Sequence, residues 1–348
     1  MQRRTLLAGG LGVPALLRGA TDMPRRLLGR TRLPVSVLGF GCAPGVKDPA
    51  LYRRAVELGV NYFHVGDRTP VADADVLRIL GPFRDRIFIG LMTLPGAAAI
   101  PALDQLLSAT GVGHIDIWYL ITPQPEHLKG PPAEALQAAR QAGKVRFTGI
   151  TTHRLATDVG LLTAPGCPID VVMLTYNFPA PPEVVAAAGK LHAAGLGITP
   201  MKSMAGGGRA AVAGVPAAAI RWLAADPRVH CVPVAVETIQ QLEQDARALS
   251  RPLSDADRAL LRTERAYASP RFCRMCGACD GQCPRGLPVS DLVRCAMYAE
   301  GYGDLRRARQ ELKTLPPLTC GDCPRCVVQC PNKVAIPDRL RYAQQLLV

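Results

Sequence analysis

Eight of the twelve cysteines fall into two copies of one spacing, Cys-x2-Cys-x2-Cys-x3-Cys-Pro. The two copies are Cys273, Cys276, Cys279 and Cys283 with Pro284, and Cys320, Cys323, Cys326 and Cys330 with Pro331. Runs with this spacing and a proline after the fourth cysteine hold [4Fe–4S] clusters through four thiolates. The sequence therefore predicts two [4Fe–4S] clusters, with all eight cysteines as metal ligands.

Two other uses of cysteine fit this spacing less well. Structural zinc sites usually take their ligands in pairs, and disulfides would crowd eight cysteines into two knots of short loops. The remaining cysteines have no motif spacing; they are Cys42, Cys167, Cys231 and Cys295. We expect them to be small buried apolar residues, although an oxidising compartment could pair some of them.

Residues 267–348 are expected to form a small all-helical domain of the two-cluster ferredoxin type. Two helical patterns, Val289–Glu300 and Asp304–Leu312, lie between the cysteine runs. In two-cluster proteins the fourth cysteine of each run binds the other cluster. One site is therefore predicted from Cys273, Cys276, Cys279 and Cys330, and the other from Cys320, Cys323, Cys326 and Cys283.

Length and charge limit the classes of function. A chain of 348 residues can bury a substantial core. The net charge of +13 comes mostly from scattered arginines, without a lysine-rich block or interleaved aromatic residues, so nucleic-acid binding is not expected. We expect the basic side chains to offset anionic cluster–thiolate centres and to face an acidic external electron carrier.

Residues 1–22 are similar to an export signal. Arg3 and Arg4 precede a short, mildly apolar stretch that ends at Leu17, as in twin-arginine (Tat) signals. Because the Tat route carries folded proteins that already hold their cofactors, periplasmic localisation is expected; a basic terminus without a signal would leave the protein cytoplasmic. No later stretch of twenty apolar residues predicts an internal transmembrane helix.

Residues 23–266 alternate short apolar stretches with amphipathic ones. Eight stretches predict strands at Val37–Gly41, Asn61–Val65, Arg86–Met92, Ile115–Ile121, Val145–Thr151, Val171–Thr175, Gly197–Met201 and Val229–Val234. Strands of buried type that alternate with helices imply parallel pairing, and eight such units predict an α/β fold, the (β/α)8 TIM barrel. An open doubly wound sheet is the alternative, but Pro44 stands where its third glycine is needed.

Four segments of this region resemble the aldo/keto reductase family. They are Arg26–Gly41, Glu57–Phe63, Gly143–Ile150 and Met201–Gly207, the last being similar to an iron–sulfur branch of the family that also carries a two-cluster tail. The resemblance covers nearly the whole chain after residue 22 and implies the same barrel.

The resemblance also implies a catalytic tetrad, which this chain replaces. The family reduces carbonyls with NADPH through an aspartate, a tyrosine, a lysine and a histidine, and those positions hold His64, Thr69, Met92 and Ile121. A threonine hydroxyl is too weak an acid to replace the tyrosine phenol. We therefore expect the ordinary reaction to be missing or reassigned.

The family's NADP(H) site is altered as well. Thr151 and Thr152 stand where the family holds the nicotinamide with serine and asparagine. The loop with Gly206, Gly207 and Arg209 could still approach a phosphate, or it could be only a connection between strand and helix. NADP(H) is therefore a candidate cofactor with a weakened site.

Active sites of TIM barrels lie at the carboxyl ends of the strands. The polar residues expected there are Cys42, His64, Asp67, Thr122, Thr152, His153, Asn177 and Lys202. Among them, His64 and Asp67 could form an acid–base pair, and Lys202 could hold an anion.

These observations support two functions of different classes. The first is a redox enzyme whose tail passes electrons between an external carrier and a small molecule at the barrel mouth. The second is an electron-transfer or scaffold subunit with a catalytically inactive barrel. A conventional NADPH carbonyl reductase with structural clusters is a third, weaker hypothesis.

Overall fold

A computed structural model describes residues 23–42, 46–66, 70–93, 99–121, 128, 130–204, 212–316, 320–321, 323 and 325–347. The predicted export segment 1–22 lies outside the described residues. So do six residues of the predicted sites, Asp67, Thr69, Thr122, Gly206, Gly207 and Arg209. None of the helices in the described ranges combines the length and the apolar character needed to cross a bilayer.

Eight parallel strands form the central sheet of the described chain. They are β3 (Leu38–Cys42), β4 (Tyr62–Val65), β5 (Phe88–Thr93), β6 (Ile115–Ile121), β7 (Val145–Thr152), β8 (Val171–Thr175), β9 (Gly197–Met201) and β10 (Val232–Val236). Their order is β10-β3-β4-β5-β6-β7-β8-β9. Ahead of β10, the His230 amide donates to the Ile198 carbonyl of β9 at 3.0 Å. The sheet is therefore a nearly closed barrel, and the predicted (β/α)8 fold is confirmed.

Helices connect the strands on the outside of this barrel. They are α1 (Pro49–Glu57), α2 (Pro70–Leu80), α3 (Ala99–Thr110), α4 (Pro131–Gln141), α5 (Leu155–Leu162), α6 (Pro182–Ala193), α7 (Val215–Ala225) and α8 (Ile239–Ala248). The apolar core lies between the helices and the outward faces of the strands.

The last strand differs from its prediction, Val229–Val234. Pairing with β3 begins at Val232, opposite Leu38, and ends at Val236, opposite Cys42. Val229 instead closes a turn, in which its amide donates to the Asp226 carbonyl at 3.1 Å. Its side chain is buried all the same. The apolar stretch thus predicted a buried segment correctly, but the strand begins at Val232 rather than at Val229.

A short antiparallel hairpin precedes the barrel. Its strands are β1 (Arg25–Leu27) and β2 (Pro34–Ser36). At its turn, Gly29 has a φ of 50°, and a Cβ atom there would lie 2.3 Å from the Gly197 amide nitrogen. Only glycine allows the hairpin to approach the start of β9 this closely.

The described part of the tail consists of helices joined by loops. Helices α10 (Val289–Glu300), α11 (Leu305–Leu312) and α12 (Ile336–Gln345) pack around an apolar core of the tail, and α9 (Asp255–Ala268) precedes them. The two helices predicted between the cysteine runs are confirmed. The second begins one residue later than predicted because Asp304 caps it, its carboxylate accepting from the Arg307 amide at 2.9 Å.

Helix α9 ties the tail to the barrel. Asp257 in its first turn accepts two hydrogen bonds from Arg221 of α7, at 2.7 and 3.0 Å. Both side chains are buried, and a two-pronged arginine–carboxylate pair fixes orientation as well as distance. Because α9 ends five residues before Cys273, this pair sets where the first cysteine run begins.

The barrel interior is filled by two tyrosines whose hydroxyls lie 2.8 Å apart, Tyr62 and Tyr119. Glycines on neighbouring strands make room for the rings. A Cβ atom at Gly149 would lie 2.5 Å from Cδ1 of Tyr119, and one at Gly90 would lie 2.5 Å from the Tyr62 hydroxyl. The rings occupy the barrel interior, and active sites of this fold lie at the carboxyl ends of the strands.

Replacing Gly149 with alanine should destabilise the barrel, because the added methyl group overlaps the Tyr119 ring. We expect Gly149→Ala to lower the free energy of unfolding by about 1–3 kcal/mol. The matched control is Gly160→Ala in α5, where a Cβ atom meets nothing within 4 Å; it should stabilise the helix by roughly 0.5–1 kcal/mol. Equal effects of the two changes in urea unfolding would contradict this packing.

Candidate functional site

Four cysteines line one cavity in the tail, and they come from both runs. They are Cys273, Cys276 and Cys279 of the first run and Cys330, the last cysteine of the second. The empty space at this site is about 340 Å³, a volume that includes open solvent at its mouth. We call these four residues the inner quartet; it is the set predicted for one cluster.

The other four cysteines form a second group, the outer quartet of Cys320, Cys323, Cys326 and Cys283. Burial raises the pKa of the Cys320 thiol, and the sulfurs of Cys326, Cys283 and Cys323 raise it further. These three sulfurs are therefore close neighbours of Cys320. Cys323 is exposed, so this quartet lies nearer to solvent than the inner one.

The fourth cysteine of each run belongs to the other quartet, and the same turn follows it in both runs. The residue three positions after that cysteine has a left-handed backbone, with φ of 69° at Gly286 and 61° at Lys333. Its amide donates to the cysteine carbonyl, at 2.9 Å from Gly286 to Cys283 and 3.0 Å from Lys333 to Cys330. A helix then begins six residues after each cysteine, α10 at Val289 and α12 at Ile336. The two halves of the tail thus share one local design.

A pair of glutamines joins the two exchange points. The Gln282 side chain accepts from the Gln329 amide at 2.7 Å and donates to the Gln329 carbonyl at 3.2 Å. These residues directly precede Cys283 and Cys330. The contact holds the two exchanged cysteines next to each other.

The inner thiols lie in apolar surroundings. Burial raises the pKa of Cys273 to about 11 and also raises those of Cys276 and Cys279. At neutral pH such thiols keep their protons unless a metal takes the proton's place. Two donors already point at sulfur: the Met275 amide lies 3.3 Å from Cys273 Sγ, and Asn332 Nδ2 lies 3.7 Å from Cys276 Sγ.

A buried cation lines the same cavity. Arg274 is only 6 % exposed. Burial lowers the pKa of its guanidinium to about 10, and the sulfurs of Cys273 and Cys330 act in the opposite direction. A guanidinium placed here favours negative charge on those sulfurs, as expected for an anionic centre between the four thiolates.

Among the described residues, no group of three or more His, Cys, Asp or Glu side chains is arranged to hold a single metal ion. A four-iron cluster binds each thiolate through a different iron atom, so its ligands stand farther apart than those of one ion. Four thiols around a shared apolar cavity, with N–H donors and a cation beside them, fit such a cluster. They do not fit a compact site for one zinc ion.

The inner quartet lies against the carboxyl end of the barrel. Met275, between two of the cysteines, accepts a hydrogen bond on Sδ from the Thr175 hydroxyl at 3.3 Å. Thr175 is the last residue of β8, and Cys276 packs against the hydrophobic core of the barrel. The tail therefore places the inner quartet at the end of the barrel where this fold builds active sites.

Lys202 joins barrel and tail at the same end. Its ammonium lies 4.5 Å from the centre of the Tyr298 ring and 5.6 Å from that of Tyr302, both in or next to α10. Its φ of 60° is unusual for a residue other than glycine. Asn177 fixes this backbone by donating to the Lys202 carbonyl at 3.0 Å. The structure thus shows Lys202 in a cation–π contact with the tail, and its predicted anion-binding role stays a prediction.

His64 is a buried imidazole at the barrel mouth. It lies on β4, is 9 % exposed, and meets the Tyr119 ring edge-on at 5.2 Å. Neither ring nitrogen has a hydrogen-bond partner among the described residues. A buried polar group without a partner is costly, so His64 is the mouth residue best prepared to bind a ligand. Its predicted partner Asp67 lies outside the described residues.

The threonines predicted for the nicotinamide site occupy the end of β7. Thr151 and Thr152 are both buried. Thr152 donates to the Asp158 carboxylate and accepts from the Arg154 amide at 2.9 Å, so its hydroxyl already serves the start of α5. The structure gives Thr152 a structural role, and cofactor binding by either threonine stays a prediction.

Sequence reasoning missed Arg274 and Met275, which lie between Cys273 and Cys276. Spacing identifies the cysteines and is silent about the residues between them. A signal was available nonetheless: the position after the first cysteine is Arg274 in one run and Gly321 in the other. A charge at this position in only one of the two runs indicates different surroundings for the two sites.

Comparison with known proteins agrees with the barrel. No protein-family model and no curated protein sequence matches the chain. An aldo-keto reductase from Bacillus halodurans in its holo form has a TM-score of 0.60 at 18 % identity, with 70 % of this chain and 96 % of that chain covered. The barrel has the aldo-keto reductase fold.

Two further solved structures with this fold are similar. One from Klebsiella pneumoniae in complex with NADPH has a TM-score of 0.58 at 18 % identity, with 70 % of this chain and 95 % of that chain covered. The aldose reductase from Schistosoma japonicum has 0.55 at 14 %, with 68 % and 91 % covered. These aldo-keto reductases are covered almost completely, so nearly a third of this chain has no counterpart in them.

The burial of His64 predicts a loss of stability in mild acid. Burial lowers the pKa of His64 to about 4, below the value of about 6.5 in an unfolded chain. Between these pH values the unfolded state therefore binds more protons than the folded state. The contribution of neutral His64 to the free energy of unfolding is complete above pH 6.5 and is lost as the pH falls toward 4. We expect the contribution of His64 to the free energy of unfolding to fall by about 2 kcal/mol between pH 7.5 and pH 5.

The check is urea unfolding at both pH values for the wild type and for His64→Leu, which cannot titrate. His230, whose pKa burial also lowers to about 4, should contribute equally to both proteins. The variant should show the smaller loss in acid. The same pH dependence in both would show that His64 is not buried in this way.

Proposed function

We propose that this protein is an iron–sulfur oxidoreductase of the aldo-keto reductase family. Two [4Fe–4S] clusters in the tail exchange electrons with a small molecule at the barrel mouth. The observation that carries the proposal is the position of the inner quartet. Its Met275 contacts Thr175 at the carboxyl end of β8.

The tail supplies ligands for both clusters. Cys273, Cys276, Cys279 and Cys330 would hold one, and Cys320, Cys323, Cys326 and Cys283 the other. Clusters of this kind supply one-electron transfer. The chain contributes an apolar cavity, N–H donors to Cys273 and Cys276, and the buried guanidinium of Arg274.

The barrel mouth is suited to a polar organic ligand. His64 is neutral at pH 7 because burial lowers its pKa to about 4, so one ring nitrogen can donate a hydrogen bond while the other accepts one. A carbonyl group fits such a site. Its reduction to an alcohol takes two electrons, which an external one-electron carrier delivers in two steps, and two protons from water.

The usual aldo-keto reductase reaction is not expected here. His64, Met92 and Ile121 lie at or near the carboxyl ends of the neighbouring strands β4, β5 and β6, the positions that resemble the family's aspartate, lysine and histidine. A methionine thioether carries no charge and no proton that could tune an acid. This supports membership of an iron–sulfur branch with a replaced tetrad.

NADP(H) is the alternative electron donor. The similar Klebsiella pneumoniae structure is a complex with NADPH. In this chain Thr152 is engaged with Asp158, which counts against the same nicotinamide contact. Saturable NADPH binding with carbonyl turnover would favour the conventional reductase. A mouth that binds neither nucleotide nor carbonyl compounds would favour the scaffold function.

The external carrier is proposed to be acidic and to dock beside the outer quartet. Cys323 is exposed there, and the neighbouring Val327 is 56 % exposed. Arg285 and Arg325 are also exposed on this side, and Arg285 reaches the Gly321 carbonyl at 2.7 Å. A small apolar patch beside basic side chains complements an acidic protein and speeds its association.

Iron analysis of cysteine variants tests the two sites. Anaerobically purified wild type should contain about eight irons per chain, and Cys279→Ala and Cys326→Ala about four each, because each loses a different cluster. Cys330→Ala should leave the same electron paramagnetic resonance (EPR) spectrum as Cys279→Ala, since both residues belong to the inner quartet. Cys167→Ala, outside both runs, should keep all the iron.

A colourless wild type with little iron would contradict the proposed function. A Cys330→Ala spectrum that matched Cys326→Ala would show that each run holds its own cluster.

Charge reversal tests the docking side. The double variant Arg285→Glu and Arg325→Glu should be reduced about tenfold more slowly by a reduced acidic ferredoxin at low ionic strength. Stopped-flow bleaching of the cluster absorbance measures this rate. At high ionic strength, where the charges are screened, the variant should be reduced at the wild-type rate. A control with Arg262→Glu, an exposed arginine of α9, should be reduced at the wild-type rate at both salt concentrations. Equal slowing by the control would place docking elsewhere.

A further inference from the structure

The structure assigns to Arg274 the task of holding the reduction potential of the inner cluster above that of the outer one, so that electrons run toward the barrel. This inference rests on the proposed function, and it adds the direction of electron flow. In this role Arg274 is a positioning residue, because it acts through the charge of the cluster.

Location is the first argument. Arg274 lines the inner cavity together with the inner quartet and is 6 % exposed. Its charge acts on the sulfurs of Cys273 and Cys330, one from each run. A fixed positive charge beside two of four ligands stabilises the reduced, more negative cluster, and in a site with little water it is weakly screened.

The second argument is the contrast between the two sites. The position that corresponds to Arg274 in the second run is Gly321, which has no side chain. The arginines near the outer quartet, Arg285 and Arg325, are exposed, so water and salt screen their charges. Arg294, which pairs with Asp291 at 2.7 Å and Glu311 at 3.9 Å, adds to the positive charge that acts on Cys273.

Solvent exposure has the opposite effect on the order of the two reduction potentials. Water stabilises the reduced state of an exposed cluster, which favours the outer quartet. The inner sulfurs replace part of that solvation with N–H donors, from Met275 to Cys273 and from Asn332 to Cys276. The buried charge of Arg274 in the cavity wall then decides the order, because it is permanent and weakly screened.

The consequence is that electrons flow in one direction, from the tail to the barrel. An external carrier gives up one electron at the exposed side and is oxidised, and the electron moves to the higher potential, beside Thr175 and Met275. Two such electrons and two protons complete the reduction of the organic substrate. The protein therefore works as a reductase fed from its tail.

Redox titration followed by EPR tests this assignment on the intact protein. The outer cluster is removed with Cys326→Ala and the inner cluster with Cys279→Ala, and the midpoint of the remaining cluster is measured in each. The inner midpoint should be the higher. Arg274→Gln should lower the inner midpoint and leave the outer one unchanged, and Arg274→Lys, which keeps the charge, should restore most of the difference.

The control is Arg271→Gln, an exposed arginine three residues away that stacks on Tyr267 at 4.3 Å; it should move neither midpoint. Equal midpoints, or an inner midpoint below the outer, would overturn the inference even if Arg274→Gln failed to load iron. Iron content separates this failure from failure of the proposed function, because a wild type with both clusters and the wrong order of midpoints refutes only the role of Arg274.

Discussion

The structure depends on one constraint: the fourth cysteine of each run must reach the other quartet. Cys330 lies 51 residues after Cys279 in the chain, yet both line the same cavity. The helices α10 and α11 lie between them in the chain, and the Gln282–Gln329 contact joins the segments before the two exchanged cysteines. If the quartets hold the proposed clusters, metal binding contributes to the folding free energy of the tail.

The same constraint links the tail to the barrel. The Arg221–Asp257 pair fixes α9, and α9 fixes where the first run begins. Met275 and Lys202 then complete the contact at the carboxyl ends of β8 and β9. A TIM barrel leaves this end available for loops and added domains. Here the added domain places buried thiols at the end of the barrel where His64 lies.

The sequence predicted most of the fold and one class of site. Periodic apolar stretches located the strands because parallel strands are buried on both faces. The last strand was misplaced at Val229 because that residue is buried but does not pair with a neighbouring strand. Cysteine spacing predicted both quartets, because runs that hold a [4Fe–4S] cluster keep a fixed spacing. Arg274 escaped notice because spacing does not constrain the residues between cysteines. The contact of Lys202 with Tyr298 could not be foreseen, since a strand-end position does not reveal which distant helix covers it.

The central claim is that two iron–sulfur clusters share their ligands across the two runs, with one cluster against the barrel. The most direct measurement is an anomalous diffraction map of anaerobic crystals at the iron edge. The account predicts two four-iron sites, one bounded by Cys273, Cys276, Cys279 and Cys330 beside Met275. Two sites each enclosed by its own run, a single ion in place of a cluster, or no iron in the tail would contradict it.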